Sequence, residues 1–447
     1  MQKILPPSLL RLANACNAPL YIVGGSVRDH LAGLTASTPR DWDICSPTLA
    51  ERFVEIARGA GFTVQAVYKN TGTVKLSDGE NNDFEYSCFR SDKYIRGLHT
   101  PVEITFTTDI TLDARRRDFT VNAIYYDIAK GAYADPLGGI ADLREKRLST
   151  VAPAEKVFGE DGLRLMRLAR FSAQLGFRPD ADCLQGATAN ANLLRDVSPE
   201  RIFAELTAIL CADGRYGVPN GHYIGLKVLD ETRVLDEIFP ALTRGRGMQQ
   251  RADYHKYDVL EHSLRAASYA PRNLRLIALL HDLGKPFCKE RDGNSYAHPE
   301  EGARLAVEAL SLLKAPKRLL VQAETLIRLH MYDFDCQTGE NKLRRFFATH
   351  GEILDDLLAL KQADYSACTD VLSPAPTVEK WKRILQKMQA EGAPLTLKQL
   401  AVTGKELLAI GIPAPEISKT LTKLLTHTAV NPKDNQTSRL LFLARKL

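Results

Sequence analysis

Over roughly its first 150 positions the chain carries its apolar residues in short runs, β-branched and aromatic in character, broken by Gly, Pro and Asp. Such runs predict strands at 20–23, 42–44, 63–67, 73–76, 83–87 and 102–106, with helical stretches such as 48–59 between them. A small mixed sheet with covering helices is the economical solution. Beyond this region the patterning is that of amphipathic helices. The expectation is therefore an α+β chain: a head over 1–150, a helical neck over 151–245, a third helical segment over 246–370, and a helical tail over 371–447. Pro374 and Pro376 mark the last linker, and the tail predicts helices at 381–390, 397–410 and 417–426.

Two stretches of the head carry chemistry. Tyr21-Ile-Val23 reads as a buried strand, and Gly24-Gly25-Ser26 breaks it and leads into a helix over 27–34. Paired glycines let a backbone present bare N–H groups to a phosphate, and a following helix N-terminus favours an anion. Arg28 sits in that first turn against the helix dipole, which points to an anionic ligand. Then Arg40-Asp-Trp-Asp-Ile44 puts Asp41 and Asp43 on one strand face, because residues i and i+2 share a face. Carboxylates this close repel unless a cation lies between them, and hard oxygen ligands suit Mg²⁺. Two such ions can clamp both oxygens of an in-line phosphoryl displacement.

Gly24-Gly25-Ser26-Val27-Arg28-Asp29 followed by Asp41-Trp42-Asp43 resembles the signature of class II nucleotidyltransferases. These are the bacterial-type CCA-adding enzymes and related poly(A) polymerases of the polymerase β superfamily. The resemblance implies a polymerase β-like head and template-independent addition of C, C and A to tRNA 3′ ends from CTP and ATP, with pyrophosphate released. It implies Asp41 and Asp43 as the catalytic Mg²⁺ ligands, and Gly25 and Arg28 as triphosphate contacts. Glu85, on the 83–87 strand, becomes a candidate third acid, with an outward-facing strand Glu as the alternative. Arg115-Arg-Arg-Asp-Phe-Thr-Val-Asn-Ala123 crowds three guanidinium groups, which is costly unless anions or acids neutralise them. It is similar to the family's Arg-Arg-Asp-Phe-Thr-x-Asn-Ala motif, which implies Arg117 as a triphosphate ligand with Asp118 and Asn122 in orienting roles. Asp135-Pro-Leu-Gly-Gly-Ile-Ala-Asp142 reads as a turn bent at Gly138 and Gly139.

In the neck, Glu160-Asp161-Gly162-Leu163-Arg164 opens a helix where Arg164, Arg167 and Arg170 recur along one slowly rotating face. It resembles the family's Glu-Asp-x-x-Arg motif. That implies Asp161 and Arg164 as readers of the CTP or ATP base edge, with Arg167 and Arg170 contacting the nucleotide or positioning the readers. A carboxylate accepts from the exocyclic amine that C and A share, and Arg donates to a ring nitrogen or carbonyl. Gly162 stands where the family frequently has Pro, with little consequence expected. Ser198-Pro-Glu-Arg201 predicts a capped scaffold helix with Arg201 and Glu205 at i,i+4 spacing.

Six of the ten histidines lie between His255 and His350. His262 falls in an amphipathic helix, His281-Asp282 follows an apolar run, and His298, His330 and Asp364 come later. Imidazole plus carboxylate suits divalent transition metals. The ordered set is similar to the HD-domain phosphohydrolase pattern. It implies His262, His281, Asp282 and Asp364 around one metal, with His298 and His330 at a second. A metal-stabilised but catalytically silent domain is the alternative.

Composition adds bounds. The 447 residues suffice for about two to four domains, and a net charge of +5 permits a nucleic-acid partner without demanding one. Eight scattered cysteines with no C-x-x-C pair indicate neither a zinc cluster nor a disulfide framework, and they fit a reducing cytosol. No signal-peptide core or membrane-length apolar run is present, so a cytoplasmic chain without a membrane partner is expected. Three other readings stay open: a poly(A) polymerase, a partial enzyme adding only CC or only A, and an HD phosphohydrolase acting on RNA ends or nucleotides with the head as an RNA-binding module.

Overall fold

Strands β1 (Tyr21–Val23), β2 (Asp41–Ser46), β3 (Thr63–Tyr68), β4 (Thr73–Ser77), β5 (Asp83–Cys88), β6 (Arg90–Lys93), β7 (Glu103–Phe106), β8 (Tyr125–Asp127) and β9 (Ala132–Ala134) build the head in the computed structural model. The residues described are 1–34, 41–95 and 101–446. Arg40, just before the acidic pair, lies outside them. Seven strands join in the order β3-β4-β5-β2-β1-β8-β9, and β6 pairs with β7 in a separate hairpin. Within the large sheet β2 runs parallel to β5 and antiparallel to β1.

Alternation fixes which way β2 faces. Trp42 and Ile44 are buried while Asp41 and Asp43 are exposed. Trp42 and Ile44 join Ile22, Val74, Phe84 and Tyr86 in one core, which the Pro7–Ala15 and Ala50–Gly59 helices cover with Leu9, Leu12 and Phe53. Phe53 stacks on Tyr86 with ring centroids 3.5 Å apart. A second cluster of Val23, Cys45, Phe89, Ala114 and Tyr125 packs elsewhere on the sheet. The acids are thus displayed on a strand anchored through its other face.

The expected strands are present within one or two residues. Unanticipated are β6, β8 and β9. The helix after the glycines runs Gly25–Leu31, earlier than the expected 27–34. Gly24 adopts φ +80°, and a side chain on it would meet Asp43 Oδ2 at 3.1 Å, so the glycine lets the loop close against the acid. At the Asp135–Asp142 turn, Gly138 is left-handed, and a Cβ on Gly139 would fall 2.2 Å from the Thr120 carbonyl oxygen.

The chain divides into two compact units, Met1–Pro240 and Ala241–Leu447. The second unit is helical. His262 lies in the Val259–Tyr269 helix, His281 caps Arg275–Leu280, His298 begins His298–Leu312, His330 ends Lys317–Leu329, and Asp364 lies in Leu354–Thr369. In the tail, the expected 397–410 helix is instead a short 3₁₀ turn, Leu397–Gln399, and a separate helix, Gly404–Ala409. Thr396 and Thr403 each form a capping box, which restarts the backbone there. Pro376 is the first residue of the Pro376–Ala390 helix rather than part of a linker. No described helix is long and apolar enough to cross a membrane, and all eight cysteines are free.

Candidate functional site

The head site grows from one register. Parallel pairing of β2 with β5 sets Asp41 opposite Asp83 and Asp43 opposite Glu85. The Asp43 residue is open to solvent, yet desolvation of its carboxyl raises its pKa above the ordinary value. Glu85 and Asp41 push it further up, while Arg117 and Arg167 oppose them. An all-oxygen set of mutually repelling acids is the donor chemistry of a hard divalent cation. Glu85 is half exposed and has Lys75 Nζ 3.9 Å away on β4. Among the described residues, no three acids of the head bring one oxygen each within 4.8 Å of one another.

Two of the three adjacent arginines, Arg116 and Arg117, are neutralised from within the chain, while Arg115 is exposed. Asp113, fully buried in the Ile110–Arg115 helix, takes Arg116 Nε at 2.7 Å, Arg117 Nη2 at 3.2 Å and the Tyr125 hydroxyl at 2.7 Å. Burial works against the Arg117 charge, but Tyr125 and Asp113 outweigh it and hold the pKa well above the ordinary value. Sequence reasoning passed over Asp113, although its i+3 and i+4 spacing to Arg116 and Arg117 was a usable signal.

Arg28 departs from expectation. It is 3% exposed, and its charge meets the chain's own Asp29 at 2.6 Å. Its Nη1 donates to Asn122 Oδ1 at 2.7 Å and its Nη2 to the Tyr216 hydroxyl at 3.2 Å. The anion that balances Arg28 in this helix is therefore Asp29. Asn122 in turn donates to Asp118 Oδ1 at 3.1 Å, and Asp118 Oδ2 accepts from Arg167 Nε at 2.7 Å. Burial would raise Asp118, but Arg167, Asn122 and the Phe119 N–H hold its pKa down to about 2. Asp118 and Asn122 thus orient arginines, as expected. The chain Asp29–Arg28–Asn122–Asp118–Arg167 ties the glycine loop to the Leu163–Leu175 helix.

The Glu160–Arg164 motif, expected to read the base, straddles a break. Ala154–Glu160 ends before Asp161, which is extended, and a new helix starts at Leu163 with its N–H donating to Asp161 Oδ1 at 3.0 Å. The three arginines do not share one environment. Arg164 is buried, giving hydrogen bonds to Val157 O (3.0 Å), Glu160 Oε2 (2.8 Å) and Arg116 O (2.9 Å). Arg170 lies 2.7 Å from Glu205, so Glu205 reaches outward to another helix rather than only stabilising its own. Burial and repulsion from Arg167 and Arg28 lower the Arg170 pKa, despite Glu205. The guanidinium carbons of Arg28, Arg167 and Arg170 lie 5.1, 5.2 and 4.6 Å from the centre of the Phe171 ring. Gly162 is not incidental: a Cβ there would fall 2.5 Å from the Leu193 carbonyl oxygen, so the Pro frequent in the family would not fit without displacing that segment.

The second unit gathers every expected ligand. His262 Nε2 lies 3.0 Å from Asp364 Oδ1, 3.3 Å from His281 Nε2 and 3.5 Å from Asp282 Oδ2. His298 Nε2 is 3.2 Å from His330 Nε2 and 3.4 Å from Asp282 Oδ1, so Asp282 lies between the two expected positions. Burial would raise Asp282, but His281 and Lys285 keep it ionised; Asp364 is likewise held low by His262 and His281. Burial would lower His281, but the two carboxylates overcome it and raise its pKa. Neither oxygen of buried Asp282 makes a directed hydrogen bond, although Lys285 Nζ stands 2.6 Å from Oδ2. Converging imidazoles around an ionised, under-bonded carboxylate fit a transition metal. Sequence reasoning missed Lys285; its i+3 spacing from Asp282 was the available sign.

Residues 20–149 match the poly A polymerase head domain, 176–245 the probable RNA and SrmB-binding site of polymerase A, and 253–367 the HD domain. An A-adding tRNA nucleotidyltransferase of Deinococcus radiodurans is 30% identical over 92% of this chain and 91% of its own length. This chain belongs to the tRNA nucleotidyltransferase family. Another member, the multifunctional CCA protein of Xanthomonas campestris, is 32% identical over 70% of this chain and 75% of its own. The crystal structure of the Bacillus stearothermophilus CCA-adding enzyme in complex with CTP matches with a TM-score of 0.64 and 25% identity, over 99% of this chain and 98% of that one. Membership in the nucleotidyltransferase family carries dependence on a divalent metal, and the acids of β2 suit that role.

Proposed function

We propose that this chain adds C, C and A to the 3′ end of tRNA from CTP and ATP, with Mg²⁺ at Asp41 and Asp43. The observation that carries the reading is the meeting of Asp43, its neighbour Glu85 and the Arg117 charge at the central strands β2 and β5 of the sheet. Bound there, Mg²⁺ would supply Lewis acidity to the terminal ribose hydroxyl and charge neutralisation to the pyrophosphate. Asp41 and Asp43 hold it from β2, with Glu85 as the third acid. Arg117, fixed by Asp113 and Tyr125, directs its charge to the triphosphate, and Gly25 completes the cradle, with buried Arg28 holding the glycine loop in place through Asn122. Asp161 accepts from the exocyclic amine of C or A. Arg164, anchored through Nη1 and one Nη2 N–H, keeps Nε–H for the ring. Arg167 and Arg170 set the shape of the base pocket through Asp118 and Glu205. The tRNA is gripped through backbone and shape. The second unit is proposed to hold a divalent transition metal at His262, His281, Asp282 and Asp364, extended by His298 and His330, and to hydrolyse phosphoesters of RNA ends or nucleotides. Functional boundaries are placed near 150, 245 and 370, and a cytoplasmic location fits the eight free thiols.

Addition of A alone is the second reading, favoured by likeness to the Deinococcus radiodurans A-adding enzyme along nearly the whole chain. Extension of tRNAs ending before CCA, after C and after CC separates the two. Stopping at CC with CTP and completing CCA with both nucleotides supports the main proposal. Extension only of the CC-ended tRNA by ATP replaces it with the A-adding reading, and long A tails from ATP replace it with a poly(A) polymerase.

A further inference from the structure

Three of the four histidines in the HD cluster are oriented in the same way. His281, His298 and His330 each set Nδ1 against a backbone oxygen three residues earlier, Ala278 O (2.7 Å), Ser295 O (2.6 Å) and Ile327 O (2.6 Å). Such contacts fix the tautomer and aim the other nitrogen at a metal. His262 departs from this pattern. Its Nε2 faces Asp364, but its Nδ1, in a residue with 0% exposure, has no hydrogen-bond partner.

What lies beside His262 is a second incomplete set. The His255 ring stands edge-on to the His262 ring, centroids 5.0 Å apart at 87°, and its own Nδ1 is also buried without a partner. Cys368 follows Asp364 by one helical turn in the Leu354–Thr369 helix. One ligand atom each from His255, His262 and Cys368 lie within 4.8 Å of one another. Tetrahedral bonds of about 2.0–2.3 Å require ligand atoms about 3.3–3.8 Å apart, which small side-chain rotations from this arrangement reach. Two buried, unpartnered imidazole nitrogens are costly to maintain, and a cation relieves that cost.

We propose that His255, His262 and Cys368 bind a thiophilic transition metal ion, next to the HD cluster and sharing His262 with it. The N, N, S set selects a borderline cation such as Zn²⁺ over Mg²⁺, and three protein ligands leave a fourth position for water or substrate oxygen. Binding expels the thiol proton of Cys368, and where His262 Nε2 also holds the HD metal the ring gives up its remaining N–H proton and bridges the two ions as an imidazolate. The site was invisible to cysteine spacing, because Cys368 pairs with histidines more than 100 positions upstream.

The proposal rests on the HD reading only for the role of His262 Nε2, and one experiment keeps the two apart. The full-length chain is stripped of metal and titrated with Co²⁺, recording near-ultraviolet thiolate-to-cobalt charge transfer and total bound metal. The parent chain is expected to show the band. Cys368→Ser abolishes it and loses one equivalent of metal while retaining the rest. His255→Ala weakens cobalt binding at the band-bearing site roughly tenfold or more. His281→Ala keeps the band while losing HD metal. No band in the parent, or a band surviving in Cys368→Ser, overturns the thiolate site. A normal band with no metal lost in His281→Ala overturns the HD reading instead.

Discussion

Asp43 is an acid held at a cost. Its ionised form is disfavoured by desolvation and by Glu85 and Asp41, so its folded pKa is raised. For an acid with a raised folded pKa, the ionised state at neutral pH destabilises the metal-free fold. Asp43→Asn is therefore expected to lower nucleotide addition by at least about 10²-fold while raising the melting temperature of the metal-free chain by about 1–3 °C. Calorimetry beside a CTP-incorporation assay checks both signs, and a lower melting temperature would refute the argument. Asp118 is the opposite case. Its pKa is depressed to about 2, so its stabilisation is present above the ordinary value near 3.8 and is lost as pH falls through 2. The shift corresponds to ~2 kcal/mol. Asp118→Ala should cost more, about 3–5 kcal/mol, because it leaves Arg167 without its acid; acid-titrated denaturation of parent and variant measures both.

At the scale of elements, the break between Ala154–Glu160 and Leu163–Leu175 matters most, because Asp161 and Arg164 stand on either side of it. Gly162 permits the approach of Leu193, and Gly162→Ala is expected to cost roughly 1–3 kcal/mol and to reduce discrimination of CTP and ATP against GTP and UTP. Misincorporation kinetics test this, and an unchanged nucleotide preference would detach the junction from base choice. Most elements were legible from the sequence. The alternation around Trp42 and Ile44 gave β2, and the clustered glycines marked the turn that follows β1. What stayed hidden was tertiary. β8 and β9 carry Tyr125, Tyr126 and Tyr133 around a turn whose pairing depends on distant β1. Tyr216 and Glu205 matter because of where the fold brings Arg28 and Arg170. Strand and helix periods report which face is buried, but not which charge from another element will meet it there.

The chain carries two different donor sets: carboxylate oxygens on β2 and β5 in the first unit, imidazoles and carboxylates in the second. After chelation, Mg²⁺ alone should restore nucleotide addition, while phosphoester hydrolysis should return only with a transition metal. His281→Ala should abolish the hydrolysis and leave CTP incorporation intact; joint loss of both activities would show that the assignments are not separable. Metal uptake by the second unit should also release protons near neutral pH, because the carboxylates favour the protonated form of His281 that a metal must displace. Calorimetric titrations in buffers of different ionisation heat would detect that release. The ring of Phe171, with Arg28, Arg167 and Arg170 around it and Asp29, Asp118 and Glu205 as their respective acids, bears on descent as well as on chemistry. A lineage that loses one of these acids strands a buried cation, and one that loses an arginine strands an anion. Single steps away from the set therefore pass through a weakened protein, so across relatives these six positions should either stay fixed or be replaced in matched pairs.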